Sequence, residues 1–158
     1  MIEHRSTPFV GKATVDGNAI SGIAVPYGSS SVLLRDRPRA YRERFTPGAF
    51  PEISDSVALY VGHDHRSLPL GRVGAGTLTF EETQEGLRFK ATLPESRSDV
   101  LEAVQRGDLG GVSIGFSPLE DDWTHRSGKM PSDRVVTKAT LYELSLVSAG
   151  AYPEAKFD

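Results

Sequence analysis

The sequence predicts a β-rich single domain of the α+β class, with one or two helices packed on the strands. Two patterns lead to this fold class: apolar and polar residues alternate in several segments, and one segment has the apolar spacing of a helix. The length of 158 residues agrees with a single domain. Folding of a chain of this length buries roughly two-thirds of the surface that the unfolded chain exposes. The chain has no cysteine, which excludes a disulfide framework, a thiolate metal site and a cysteine nucleophile.

The first part of the chain predicts strands joined by polar segments. Residues 18–28, NAISGIAVPYG, predict a strand that ends in turn residues. Residues 29–40 predict an exposed loop, and the arginine-rich run Leu33–Arg44, which also carries two acids, predicts a solvated loop and strand. Thr46 as N-cap and Pro47 at the first helical position predict a short helix in TPGAF.

The next two segments alternate more clearly. Residues 56–65 predict a strand, and residues 76–93 predict a hairpin whose polar turn uses Gly86 as its permissive residue. Because alternate residues of a strand share a face, four side chains of the first segment should point the same way: Val57, Leu59, Val61 and His63. The second hairpin strand has its own inward face, made of Leu87, Phe89, Ala91 and Leu93.

Residues 95–111 contain the segment with helical spacing. Ser96 or Ser98 is the expected N-cap, Arg106 lies in the last turn, and Gly107 suits the position just after the helix. The apolar stripe consists of Val100, Leu101, Ala103 and Val104.

The last third of the chain returns to strand character. Residues 111–118 predict a strand, residues 122–133 a polar loop, and residues 134–148 one long strand or two strands joined by a bend. The first of these strands contains Gly-Val-Ser-Ile-Gly, which matches the G-x-S-x-G pattern around the nucleophile of many hydrolases. The α/β-hydrolase context fails, however, because the helix precedes Ser113 and the proline at 118 opposes a helix after it.

Two other segments supply partners for a nucleophilic serine. His63 and His65 follow a strongly apolar strand, where burial and neighbours can tune an imidazole. Glu143 is a lone acid inside an apolar run, so its carboxylate must be paired or hydrogen-bonded. Together with Ser113 they provide the nucleophile, base and orienting group that a triad requires.

Other roles for these residues stay open on the pattern alone. His65 and Asp64 are alternatives to His63 and Glu143, and Glu143 could instead pair with a basic residue on a neighbouring strand. If residues 63 and 65 share a strand face, two histidines without a third ligand make a poor zinc site. His65 is expected to be a solvated loop residue, and His4 and His125 are expected at the surface.

Charge and hydropathy argue against nucleic acid and membrane partners. The net charge is −3, with basic and acidic residues interspersed, whereas duplex-binding proteins usually concentrate basic residues in a patch. No apolar run approaches the roughly 18 residues of a membrane span, and the first ten residues lack the apolar core of a signal peptide. These features predict a soluble, intracellular protein.

Six segments together resemble the prohead (capsid maturation) proteases of tailed bacteriophages. They are GIAVPYG, ERFTPGAF, ALYVGHDHRSLPLGRV, GTLTFEETQEGLRFKATLP, GGVSIGF and LYELSLVSAGAYPEA. The resemblance implies a fold similar to that of the herpesvirus assemblins, a partly or fully closed antiparallel barrel with a few packed helices. It also implies a serine endopeptidase that acts in the host cytoplasm, inside the assembling procapsid.

Carried over by motif, the resemblance implies Ser113 as nucleophile and His63 as general base, because the family's histidine precedes the aspartate of this motif. Glu143 is the expected third member, with Asp64 and His65 as alternatives; assemblins use a second histidine there. The implied substrates are the scaffolding segment of the major capsid protein and the protease itself, and self-association is possible by analogy. No metal or cofactor is expected.

The resemblance also bears on the extent of the domain and on rival functions. Residues 1–158 are expected to form the protease domain, with a C-terminal scaffold-contacting extension absent or removed by autolysis. One rival is a catalytically inactive scaffold or capsid assembly component with the same fold. The other is an esterase unrelated to this family.

Overall fold

Residues 1–8, 13–28, 32–36, 39–125 and 131–148 are described by the computed structural model. Within these ranges the chain has eleven strands and one α-helix. The first seven strands are β1 (Glu3–Pro8), β2 (Thr14–Asp16), β3 (Ala19–Pro26), β4 (Val32–Asp36), β5 (Arg39–Phe45), β6 (Ala58–Val61) and β7 (Gly71–Arg72). A 3₁₀ turn (Val73–Ala75), β8 (Leu78–Glu82), β9 (Gly86–Thr92), a second 3₁₀ turn (Glu95–Arg97), α1 (Ser98–Arg106), β10 (Gly111–Thr124) and β11 (Ser132–Val147) follow.

The larger sheet is built around the long strand β11. One edge of β11 pairs antiparallel with β10, which in turn pairs with β1. The other edge is shared by two parallel neighbours, β5 beside residues 132–136 and β6 beside residues 144–146. Strands β4 and β7 complete the sheet as antiparallel partners of β5 and β6. Sharing one edge between two strands brings residues from distant parts of the chain to the C-terminal half of β11.

The smaller sheet has the order β2-β3-β9-β8 and is antiparallel throughout. A bridge between Tyr27 and Phe45 links the end of β3 to β5 of the larger sheet. The described strands therefore form two joined sheets without a closed barrel, so the expected partly or fully closed barrel is not confirmed, while the β-rich α+β class is confirmed. The core includes Ile20, Val25, Leu59, Leu78, Leu87, Phe89, Val112, Phe116, Leu141, Leu144 and Leu146, all almost fully buried.

Two predictions for the segment before residue 50 are wrong. Residues 32–36 form β4 and pair with β5, so much of the predicted loop is a hairpin; residues 29–31 and 37–38 lie outside the described part of the chain. The TPGAF segment is a tight turn in place of a helix, with the Ala49 N–H donating to the Thr46 carbonyl at 3.1 Å. Gly48 has a φ of 79°, which favours a turn over a right-handed helix.

The predicted hairpin is confirmed as β8 and β9, with the inward face of β9 buried as expected. Gly86 has a different role from the predicted one, since its φ is not positive. A Cβ on Gly86 would lie 2.3 Å from the Val25 carbonyl oxygen of β3. Glycine is required at this position because the backbone of β3 comes too close for a side chain.

The helix is confirmed over Ser98–Arg106, but neither predicted serine is its N-cap. Arg97 occupies that position without a capping hydrogen bond, because the 3₁₀ turn runs directly into the helix. The C-terminal prediction is confirmed: Gly107 has a φ of 85° and its N–H donates to the Val104 carbonyl.

Among the described residues, no helix has the length and hydropathy needed to cross a membrane.

A cluster of charged side chains forms hydrogen-bonded ion pairs between β1 and other strands of the larger sheet. Glu43, 2% exposed, accepts hydrogen bonds from Arg5 at 2.6 and 3.1 Å and from Arg134 at 3.0 Å. Arg134 also donates to Glu3 and Asp121. Burial works against the charge of Glu3, but hydrogen bonds from Arg134 and Arg5 outweigh it and hold its pKa below the usual 4.5. The cluster thus spans β1, β10, β11 and β5.

We predict that Glu43→Ala lowers the free energy of unfolding by about 3 kcal/mol, since it leaves two largely buried guanidinium groups without their shared carboxylate. Urea denaturation followed by circular dichroism measures the loss. Glu52→Ala removes an exposed acid and serves as the control, with a change within about 0.5 kcal/mol. Equal stabilities for the two variants would contradict a role for the cluster.

Candidate active site

Ser113 is the third residue of β10, in the part of the strand that is paired on both sides. Its backbone neighbours are Ser6 of β1 and Ser145 of β11. Val112 and Ile114 point into the core, so Ser113 points to the opposite face of the sheet. The strand prediction for residues 111–118 is confirmed, and the serine sits in a flat strand without the sharp turn of an α/β-hydrolase. Ser113 is fully buried.

A β-bulge in β11 puts Leu141 and Glu143 on opposite faces of the sheet. The pairing runs from Gly115 opposite Glu143 to Phe116 opposite Leu141, and so skips Tyr142. Without the extra residue, Leu141 and Glu143 would share a face; with it, Leu141 joins the core while Glu143 lies on the face of Ser113. The carboxylate is therefore outside the apolar core, although only 5% of its side chain is exposed.

Gly115 provides the space in which the Glu143 side chain lies. A Cβ at this position would be 2.8 Å from Glu143 Cγ and 3.2 Å from its Oε1. Contacts this short force the neighbour to move. The second glycine of Gly-Val-Ser-Ile-Gly is thus explained by the carboxylate that crosses over it.

His63 is carried by a tight turn directly after β6. The strand ends at Val61, so the prediction that His63 continues its face is wrong. Gly62 and His63 both have a φ of 59°, and the Asp64 N–H donates to the Val61 carbonyl, the pattern of a type I′ turn. A positive φ costs a non-glycine residue about 1 kcal/mol or more.

Contacts with β11 hold His63 in this unfavourable conformation. The Gly62 N–H donates to the Leu146 carbonyl at 3.0 Å. The His63 N–H donates to Ser145 Oγ at 3.1 Å. The turn directs the imidazole back over the sheet, toward the row of residues that contains Ser113.

Ser113, His63 and Glu143 lie in one hydrogen-bonded line. The distance from His63 Nδ1 to Glu143 Oε1 is 2.8 Å, and the distance from His63 Nε2 to Ser113 Oγ is also 2.8 Å. An ionised carboxylate only accepts hydrogen bonds. Nδ1 therefore carries the ring proton and donates a hydrogen bond to Glu143 Oε1. Nε2 is then unprotonated, and its lone pair accepts a hydrogen bond from the Ser113 hydroxyl.

The two alternative third members have other positions. Asp64 is exposed, and its carboxylate accepts hydrogen bonds from Ser67 Oγ and the Arg66 N–H of its own loop. The Ser67 hydroxyl is the main reason why the pKa of Asp64 lies below its usual value. His65 hydrogen-bonds Glu143 Oε2 through its Nε2 and stacks on Tyr60. His65 is the exposed loop residue that was expected, and its contact with Glu143 is an additional feature that the sequence did not predict.

His4 is a further member of this cluster that the sequence prediction missed. Its Nδ1 is 3.5 Å from Glu143 Oε1, and its ring packs edge-on against His63 with 4.7 Å between centroids. His4 is half exposed, as predicted for a surface residue, yet β1 brings it opposite Gly115. His4, His63 and Glu143 offer three ligand atoms within 4.8 Å of one another, and so have the residue types and spacing for a metal ion.

Of the four further residues that support the Ser113–His63–Glu143 line, two have a signal in the sequence and two do not. The glycine two residues after Ser113 was part of the motif that drew attention, and His65 was named as an alternative. His4 and Ser145 have no such signal, because their contacts depend on the pairing of β1 with β10 and of β6 with β11, strands that are far apart in the sequence.

Comparison with known proteins identifies the family. The family model described as caudovirus prohead serine protease matches residues 7–158. The prohead protease of Enterobacteria phage HK97 is 29% identical over 117 residues, which cover 69% of this chain and 48% of that protein. The chain spans about half the length of this curated relative. No solved structure gives a significant match. Since the family model matches nearly the whole chain, the protein belongs to the caudovirus prohead serine proteases.

Proposed function

We propose that this chain is a serine endopeptidase of phage capsid maturation, with Ser113 as nucleophile, His63 as general base and Glu143 as the orienting acid. The observation that carries the proposal is the line of two 2.8 Å hydrogen bonds from Ser113 through His63 to Glu143. Such a line is the arrangement that activates a serine hydroxyl, whichever fold supports it.

In the proposed reaction Ser113 Oγ attacks the carbonyl carbon of the scissile peptide bond, and His63 Nε2 takes the hydroxyl proton. The same nitrogen then delivers the proton to the leaving amine. Glu143 accepts the Nδ1 hydrogen bond throughout, which keeps the ring in the required tautomer and stabilises the imidazolium. Water then hydrolyses the acyl-enzyme by the same sequence of proton transfers.

The oxyanion of the tetrahedral intermediate needs hydrogen-bond donors, each worth on the order of 3 kcal/mol. Three glycines lie near Ser113, at positions 110, 111 and 115, and a residue without a side chain leaves its backbone N–H accessible. Gly111 and Gly115 are within the part of β10 that pairs on both edges, where backbone N–H groups point along the sheet. Gly110 precedes the strand and is the one of the three glycines outside this ladder.

Access to Ser113 is a condition of the proposed reaction. The residue is fully buried, whereas 31% of the His63 side chain is exposed. A peptide carbonyl reaches Oγ only after the groups above Ser113 move apart. The turn after β6 is the segment whose displacement would open the site from the His63 side.

The proposed substrates are the scaffolding segment of the major capsid protein and the protease itself, cleaved inside the procapsid in the host cell. Family membership supports this assignment, and the curated relative carries the name prohead protease. We also propose that the fold is related to that of the assemblins and that the protein self-associates as assemblins do.

Two rival functions lead to different expectations. A catalytically inactive assembly component would not need the Ser113–His63–Glu143 line. An esterase would cleave esters without cleaving peptide bonds.

We predict that Ser113→Ala abolishes cleavage, because loss of a triad serine costs on the order of a millionfold in rate. The test is co-expression with the capsid protein of the same phage, with fragments identified by mass spectrometry. Ser117→Ala, on the same strand, is the matched control and should cleave like the wild type. Processing by Ser113→Ala at the wild-type rate would eliminate this serine as nucleophile.

Gly115→Ala should lower the rate constant for cleavage by about 100-fold, as expected when a catalytic group is displaced by about 1 Å. The physical cause is the clash between the new Cβ and Glu143. The test is a double-mutant cycle with Glu143→Gln, measured as cleavage rate and thermal stability. If Gly115 acts through Glu143, the alanine costs little more once the carboxylate is gone. Additive losses in rate would contradict this role.

A further inference from the structure

Glu143 is surrounded by imidazole rings, and the described residues give it no lysine or arginine partner. His63 and His65 hydrogen-bond its two oxygens, and His4 Nδ1 lies 3.5 Å from Oε1. A triad requires one of these rings. The other two make the carboxylate part of a cluster rich in metal-ligating atoms.

Two histidines and one glutamate are a donor set that zinc uses in proteins, with a water at the fourth position. At Zn–N and Zn–O distances of about 2.0–2.2 Å, tetrahedral ligand atoms lie about 3.4 Å apart. The 3.5 Å between His4 Nδ1 and Glu143 Oε1 already matches this spacing. His63 Nδ1, now 2.8 Å from the same oxygen, would move outward by a fraction of an ångström.

The solvent exposure of the two rings leaves room for this adjustment. The His4 side chain is 52% exposed and that of His63 is 31% exposed, so both rings can rotate toward a shared ion. Glu143 is held more firmly, since it lies over Gly115 and its second oxygen contacts His65. The carboxylate therefore provides a fixed ligand and the two histidines close on the ion from the exposed side.

We propose that His4, His63 and Glu143 bind Zn²⁺ and that the bound ion inhibits the peptidase. Binding follows from the ligand cluster alone, whereas inhibition rests on the proposed function. A neutral imidazole that gives its Nδ1 lone pair to a metal keeps its one ring proton on Nε2. The ring proton moves from Nδ1 to Nε2, and no proton is gained or lost. With Nε2 protonated, His63 cannot accept the proton of the Ser113 hydroxyl.

Binding is tested on the full chain with Co²⁺, whose visible absorption reports a four-coordinate site, followed by displacement with Zn²⁺. The wild type should show the absorption bands. His4→Ala should weaken Co²⁺ binding by at least about tenfold. Loss of a residue that only hydrogen-bonds a metal ligand already lowers metal affinity by about this factor, and His4 is a proposed ligand itself. His125→Ala, which removes an exposed histidine near the other end of β10, should bind like the wild type.

Inhibition is tested by the rate at which a fluorophosphonate labels Ser113, measured with and without Zn²⁺. Zn²⁺ should slow the labelling of Ser113 in the wild type and in His125→Ala, and EDTA should restore the labelling rate. In His4→Ala the labelling rate should be the same with and without Zn²⁺. Absence of Co²⁺ bands in the wild type, or equal binding by His4→Ala, would overturn the site.

Two further outcomes separate the inferences. Zinc binding without any change in the labelling rate would overturn inhibition. If Ser113 fails to react even without metal while the Co²⁺ bands are present, the proposed peptidase function fails and the metal site stands.

Discussion

The arrangement of this site depends on the position of one carboxylate, that of Glu143. The regular pairing of Leu144 and Ser145 with β10 places it on the Ser113 face of the sheet, and Gly115 leaves the space that its side chain occupies. Once there, it is close enough to hydrogen-bond His63 at 2.8 Å. A change in either feature would move the acid, and the imidazole would lose the partner that fixes its tautomer.

The second requirement is that β6 and β10 meet at the same half of β11. Because β6 pairs parallel with residues 144–146, its C-terminal end delivers His63 beside the row that contains Ser113. The positive φ of His63 is unfavourable in isolation, and contacts from Leu146 and Ser145 hold it. Local strain at His63 is thus compensated by its contacts with β11.

The sequence could predict most of the strands, because their alternation is local, and the helix, because its apolar stripe and Gly107 are local. It also directed attention to Ser113, His63 and Glu143 by residue type and by resemblance. It could not predict that Leu141 and Glu143 lie on opposite faces, which depends on a bulge, or the contacts of His4 and His65, which depend on strand pairing. The prediction of a helix at TPGAF is wrong because threonine and proline are common both in helix starts and in turns.

The central claim is that Glu143 holds His63 with its proton on Nδ1 and its lone pair on Nε2. Nitrogen-15 NMR of the neutral His63 ring, in the metal-free protein, measures this directly. The account predicts a protonated Nδ1 with a strongly downfield proton, and an unprotonated Nε2. A neutral ring that carries its proton on Nε2 would contradict the account, because such a ring cannot take a proton from Ser113.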